Sequence, residues 1–301
     1  MIFDIQFQVN IPLAIFIGIT SAVLLNLGKG VQRMGAETLG KDILKKWKQS
    51  PEERKKIQLW LLGTLMTTLA AVLGVVAQAF SDRSSTIVAL SGVGILAVVI
   101  FSIFTLKEKL NRLQIVGITL IIVGTFLIGF GYQTVEDLNP NAGFWIYALI
   151  FAAIGISISI MSIKMKKGYG LVFGIISGIS NGFSTIFTQF SVSTGGRELM
   201  GLILNWWLVV SILGGQGGFW FTQYAFKKGG KASIVVPSMS ALMIIIPTVM
   251  DILIYNAPMS VFQFLAFALN LGGVVLLSMS SERVLNTIMG ATATEEVQED
   301  G

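Results

Sequence analysis

Apolar stretches of about 20 residues, almost free of charge, recur along most of this 301-residue chain. Each is long enough to cross the roughly 30 Å hydrocarbon core of a bilayer as an α-helix. No other feature restricts the fold as much. Only 12% of the residues are charged, where a soluble domain carries about 25%. We read nine spans, at 11–31, 59–80, 86–106, 113–131, 144–163, 171–192, 202–224, 232–255 and 261–279. The expected fold is all-α, a polytopic membrane helix bundle.

The basic residues set the orientation. Nineteen of the 21 lysines and arginines fall in alternate loops, and only Arg83 and Arg197 fall on the other side. Basic loops stay in the cytoplasm, so the N-terminus is expected outside and the C-terminus inside a cell membrane. An even number of spans would destroy this partition. The net charge of +5 is explained by it, and needs no nucleic acid. Residues 1–10 carry no basic leader, so the first span is expected to stay in the membrane as an anchored helix.

Two hydrophobic helices and a tight turn are used twice. Ser85-Thr86-Ile87-Val88 meets Ala232-Ser233-Ile234-Val235 at an offset of 147, and Gln114 and Gly124 meet Gln263 and Gly273 at 149. Upstream, Ala14, Gly18 and Ala22 fall on Gly174, Gly178 and Gly182 at an offset of 160. Span three enters from outside and its partner, span eight, from inside. The layout is therefore 4+1+4 inverted repeats, as in transporters built from internal duplication. Residues 1–10 form an outer arm, and 11–131 the first repeat, with a basic cytoplasmic loop at 32–58. Residues 132–168 supply an outer loop and a linker helix, 169–280 the second repeat, and 281–301 a cytoplasmic tail.

Several local features refine this layout. In the first loop, Leu39, Ile43 and Trp47 recur beside Lys41, Lys45 and Lys48, the pattern of a short surface helix or a solvated basic linker. Ser50-Pro51-Glu52-Glu53 is a capping sequence for span two. Trp145, Trp206 and Trp207 sit at outer span ends and Trp60 at an inner one, where amphipathic rings prefer to lie.

The chemistry-bearing candidates are few. With no cysteine and no histidine, thiolate chemistry and the usual neutral-pH relay are absent. No nucleotide-binding loop, paired-aspartate motif or metal-ligand cluster is present, so neither an enzyme nor a cofactor is expected. The glycines at 170, 174, 178 and 182 are expected to let helix backbones touch. Gln216, between Gly214-Gly215 and Gly217-Gly218 near the midplane of span seven, marks either a broken helix facing a cavity or a packing groove. Pro237 and Pro247 interrupt the hydrogen bonding of span eight. One turn beyond lies Asp251, either an intramembrane acid or a group reaching outer water. Lys29 reads as an anchor at the inner end of span one, with Gln189 as its repeat partner. Asn26, Asn181, Gln223 and Asn270 are further polar groups at membrane depth, lining a path or pairing across helices. A central cavity bounded by spans one, six, seven and eight is expected, with Gln216 facing it.

Leu106-Lys107-Glu108-Lys109-Leu110, followed by Gln114, Gly117 and Gly124, resembles the Gly-Glu-x-Leu and Gln-x-x-Gly pattern that ends a half in the drug/metabolite transporter superfamily, EamA-like. Nine spans, Lys29-Gly30-Val31 with Arg33, and Gln78-Ala79-Phe80 are similar to the NIPA-type magnesium transporters within it. Two positions depart from that type. Ile87-Val88-Ala89 replaces its Val-Thr-Pro, and Ala71 stands where an acid is expected. The resemblance implies a secondary transporter of a small solute working by alternating access, with magnesium as the substrate the NIPA likeness suggests and no metal ligands assigned. The alternatives are an EamA-like exporter of an organic metabolite or drug, and a non-transporting accessory subunit. The lipid bilayer and the solute are the expected partners, and a homodimer is left open.

Overall fold

The structure, a computed structural model, describes residues 10–39, 50–80, 84–131, 142–165, 169–195, 201, 204–255, 260–277 and 279. The surface helix expected around Ile43 and Trp47, the N-terminal arm and nearly all of the tail lie outside them. The described chain is built from α1 (Ile11–Gly35), α2 (Pro51–Phe80), α3 (Ser84–Phe104), α4 (Arg112–Gly131), α5 (Ala142–Met165), α6 (Tyr169–Gly195), α7 (Trp206–Lys227), α8 (Ala232–Tyr255) and α9 (Val261–Leu277). A single 3-10 turn, Ala36–Thr38, follows α1.

Four stretches, Ile11–Thr38, Pro51–Phe80, Tyr169–Gly195 and Ala232–Met250, are long and apolar enough to cross a membrane; Leu90–Phe104, Arg112–Leu127, Ala142–Ile158 and Val261–Leu277 are apolar but shorter. Large apolar side chains such as Leu65, Leu149, Leu213 and Phe264 are exposed on the outside of the bundle, as a lipid-facing surface requires.

Local chemistry sets the helix starts. Asn10 Oδ1 accepts the Leu13 N–H at 3.1 Å, and the Asn10 N–H donates to the Phe80 carbonyl, tying the start of α1 to the end of α2. Ser50 Oγ accepts the Glu53 N–H with Pro51 opening α2, as its capping sequence indicates. The repeat is also written into two caps. At α4 the Asn111 N–H donates to Gln114 Oε1 and the Gln114 N–H to Asn111 Oδ1. At α9 the Ser260 N–H donates to Gln263 Oε1 and the Gln263 N–H to Ser260 Oγ. These reciprocal capping boxes stand 149 residues apart, the offset seen in the sequence.

Glycines fix which helices touch and in which direction. Gly28, Gly35 and Gly63 seat α1 on α2 antiparallel, Gly28 lying against residues 63–67 and Gly35 against Lys56 and Trp60. Gly94 of α3 sits on the Ala22 carbonyl and Asn26, and Gly30 on Phe101, so α1 and α3 run parallel. In the second half Gly174, Gly178 and Gly182 of α6 lie on Val235, Met239 and Ile246 of α8, again a parallel pair. The ladder on α6 is thus a packing seam, as its spacing implies.

The contact between α4 and α9 repeats itself. A Cβ added to Gly124 would lie 2.9 Å from the Ala266 carbonyl oxygen and 3.1 Å from Asn270 N. One added to Gly273 would lie 2.6 Å from the Gly117 carbonyl oxygen and 3.2 Å from Ile121 N. Adding 149 converts 124, 117 and 121 into 273, 266 and 270, so the two contacts are images of each other. The residue numbers rise along one helix as they fall along the other, so α4 and α9 cross antiparallel.

Candidate site at the junction of four helices

The glycine run on α7 does not break the helix. It is continuous from Trp206 to Lys227, and its glycines lie against α6, which sends hydroxyls onto its carbonyls. Ser177 Oγ donates to Gly218 O at 2.7 Å, Ser180 Oγ to Gly214 O at 2.8 Å and Ser184 Oγ to Ser211 O at 2.7 Å. Small residues let the backbones approach closely enough for these bonds. Gln216, between the glycines, is consequently turned to the exposed outer face with Ile212, Leu213 and Trp220. The expectation that it faces a cavity is corrected: the glycine face takes the helix contact, and the glutamine lies on the opposite side.

Lys29 is corrected in the other sense. It does not reach the interface as an anchor; it is 8% exposed, and its Nζ donates to Met239 Sδ of α8 at 3.1 Å. Thr222 Oγ1 of α7 lies 3.8 Å from the same sulfur and 2.7 Å from Ser177 Oγ of α6. Asn181 Nδ2 donates to Ser177 O and to Ser177 Oγ. A polar line therefore joins α1, α8, α7 and α6, the four helices expected to bound the centre. A thioether is a weak acceptor, and among the described residues the ion pairs are Arg33–Glu37 and Lys56–Glu53, so Lys29 has no carboxylate partner there.

Beside this line, Gln223 of α7 holds a second network. Its Nε2 donates to Gln32 Oε1 at 2.6 Å, and its Oε1 accepts the Trp60 indole N–H at 2.8 Å. Gln32 Nε2 in turn donates to Thr67 Oγ1 at 3.1 Å. Gln223 and Gln32 are almost fully buried, so each unmet group would be costly. Trp60 is thus a partner for Gln223 as well as a residue near a span end. Trp207 departs from the interface expectation altogether: it is buried, with ring centroids 5.7 Å from Phe187 and 5.3 Å from Phe190.

The remaining candidates scatter. Asn26 is buried one turn from Lys29; its Nδ2 donates to Ala22 O and its Oδ1 has no partner. Asn270 donates to Ala266 O and lies 3.5 Å from Thr125 Oγ1, at the α4–α9 contact. Asn26, Asn181 and Asn270 share one arrangement: the amide bonds back four residues and a glycine of another helix (Gly94, Gly218 or Gly124) presses on it. Gln189 is buried near the far end of α6 with Oε1 unpartnered, and is not joined to the Lys29 line. Asp251 lies on α8, which is helical through both prolines, but its side chain is outside the described residues.

Sequence reasoning missed Gln32, Met239, Thr222 and Ser177. Asn26, Lys29 and Gln32 stand three apart, one helix face, which is a usable signal; a methionine in an apolar run carries none. It also missed what Glu108 does. After α3, Lys107 adopts a left-handed backbone (φ 54°) and the turn closes with Glu108 N–H on Ser102 O. The Glu108 carboxylate then accepts the N–H groups of Ala232 and Ser233, at 2.8 and 3.0 Å, and the Ser233 hydroxyl, capping α8. Lys231 Nζ donates to the Lys109 carbonyl, and Arg33 Nε to Gly230 O at 2.8 Å. These bonds tie the 1–131 part of the chain to the 169–280 part at the end where Lys107, Lys109, Lys227, Lys228 and Lys231 gather.

Long apolar helices and a buried polar junction between them define a multi-pass helical membrane protein. Residues 39–130, which take in α2, α3, the Glu108 turn and α4 up to its last residue, match the model of the EamA-like transporter family. No match is found among curated proteins or solved structures. The likeness to NIPA-type magnesium transporters rests on the sequence motifs alone.

Proposed function

We propose that this chain is a secondary transporter of a small organic solute, working by rocking of two inverted four-helix halves about the Lys29 junction, with α5 as the linker. The observation that carries the reading is the self-repeating α4–α9 contact. Two halves that meet through images of the same residues, on antiparallel helices, suit alternating access, in which closing one side is the mirror of closing the other. The EamA-like match supports the same class. Nine spans with the N-terminus outside follow from the charge partition.

Magnesium is disfavoured as the substrate. A divalent cation wants oxygen ligands, several of them anionic. Among the described residues no acidic cluster could hold a metal, and the charged group at the junction is an ammonium.

Flux into proteoliposomes from a panel of divalent cations, amino acids, organic anions and organic cations tests the function. The expected result is saturable uptake of an organic member. Absence of flux for every member in a folded preparation would favour the accessory-subunit reading. For topology, the chain offers no native cysteine. A cysteine introduced at Asn139 should react with an impermeant reagent outside sealed cells, and one at Lys166 should not; labelling at 166 would sink the orientation.

A further inference from the structure

We infer that Lys29 is the counter-charge for one anionic group, carboxylate or phosphoryl, of the solute bound at the four-helix junction. This deepens the transporter reading and rests on it for the word solute, but the binding site itself can be tested alone.

Lys29, when protonated, leaves a charge unanswered. A buried ammonium in a membrane bundle ordinarily pairs with a carboxylate or backbone carbonyls. Among the described residues its one hydrogen bond is to the Met239 thioether, although Nζ carries three donors. The oxygens of the adjoining networks bond to one another rather than to Lys29. The Thr222 and Ser177 hydroxyls bond each other and Gly218 O, and Gln32 Oε1 is taken by Gln223.

A second observation points to a ligand at the same place. Asn26, on the face of α1 that carries Lys29, is 1% exposed, and its Oδ1 accepts nothing among the described residues. An ammonium short of acceptors, one helical turn from an amide oxygen short of a donor, matches a solute carrying an anion and a separate O–H or N–H group. A metal cation fits the first group badly, and an apolar drug would leave both unmet. Met239 is suited to yield its place, because an unbranched thioether adapts to new neighbours.

The decisive experiment measures binding apart from transport. Purified protein in detergent is heated in acetate, lactate, glycolate, inorganic phosphate or glycerol phosphate, each against chloride at equal ionic strength. One carboxylate or phosphate should raise the melting temperature of the wild type; which one does separates the two chemistries. Lys29→Gln and Lys29→Met should weaken that anion about tenfold or more, the loss expected when a charge-assisted bond is removed. Asn26→Ala should weaken only hydroxylated anions. Lys29→Met also guards against misfolding, since it replaces an unpaired charge with a side chain of similar length, and it should melt no lower than wild type without anion. The inference is overturned if no anion stabilises the wild type beyond chloride, or if the stabilisation survives in Lys29→Met. A bound anion that is never transported in proteoliposomes would leave the site standing and refute the transporter reading.

Discussion

Removing the Glu108 carboxylate should open the basic end of the bundle. In Glu108→Ala, α8 loses an acceptor for two backbone N–H groups and the Ser233 hydroxyl. Loss of a capping acceptor costs about 0.5–2 kcal/mol, and loss of a negative charge at a helix N-terminus about 0.3–1 kcal/mol more. The Lys231 and Arg33 bonds to Lys109 O and Gly230 O remain, so closure is weakened rather than abolished. A total of about 1–3 kcal/mol moves an open–closed equilibrium by roughly five- to 150-fold. Glu108→Gln keeps an acceptor oxygen and loses the charge, so its effect belongs at the low end of that range. Thr222, 1% exposed beneath this latch, is a suitable reporter when replaced by cysteine in this cysteine-free chain. Labelling by an impermeant maleimide in inside-out vesicles should quicken in the order wild type, Glu108→Gln, Glu108→Ala. Equal rates in all three would refute the latch. A rise of equal size when the reagent is added to the opposite face would show general loosening instead.

Other substitutions separate seams from lipid-facing surface. Gly178→Leu should lower melting temperature and yield, because its Cβ would lie 2.6 Å from Leu242 Cβ and overpacking costs about 1–3 kcal/mol; Gly272→Leu, whose Cβ meets nothing within 4 Å among the described residues, should not. Gln216→Leu should leave melting and flux unchanged, and a loss of flux would restore the glutamine to the path. Gln223→Leu strands the Trp60 indole N–H and Gln32 Oε1, each worth about 1–3 kcal/mol when buried, so melting should fall more than in Thr68→Val on the exposed face of α2. Gln114→Ala and Gln263→Ala should destabilise by similar amounts, about 1 kcal/mol each, as measured by thermal melting of the single variants.

Helix positions were legible because a bilayer demands apolar length, and length is plain in a sequence. The expected spans overlap α1 to α9 throughout, with the largest shift at α2, which starts at Pro51 where the span was expected from residue 59. Orientation about each helix axis was far less legible. In water, the buried face of a helix is marked by contrast with a polar one. In lipid both faces are apolar, so the contrast vanishes and a lone polar residue is ambiguous. Lys29 and Gln216 show the two failures, one buried where an interface anchor was expected and the other facing out where a cavity was expected. Glycine spacing foretold close packing on α6, but only the structure shows that α8 is the partner along that ladder. Polar contacts do join the four helices expected to bound the cavity, but the residues that make them, Thr222, Ser177 and Met239, carried no mark of their own.

The α4–α9 crossing has an implication for ancestry. Gly124 on Ala266 and Asn270, and Gly273 on Gly117 and Ile121, are a contact and its own image. A single four-helix unit, inserted into the membrane in both directions, would make that contact with a second copy of itself. Fusing the two copies through a helix such as α5 would free each to drift. Asn270 opposite Ile121 records such drift at the crossing. The latch records it at the ends: at the offset of 149, the position answering to Glu108 is Ala257. The image is kept in the backbone at the crossing, while the carboxylate that caps α8 has no counterpart in the sequence at that offset. In the transport cycle proposed above, solute gradients would fix the direction of net movement, and the Glu108 latch would set how long the basic end stays closed.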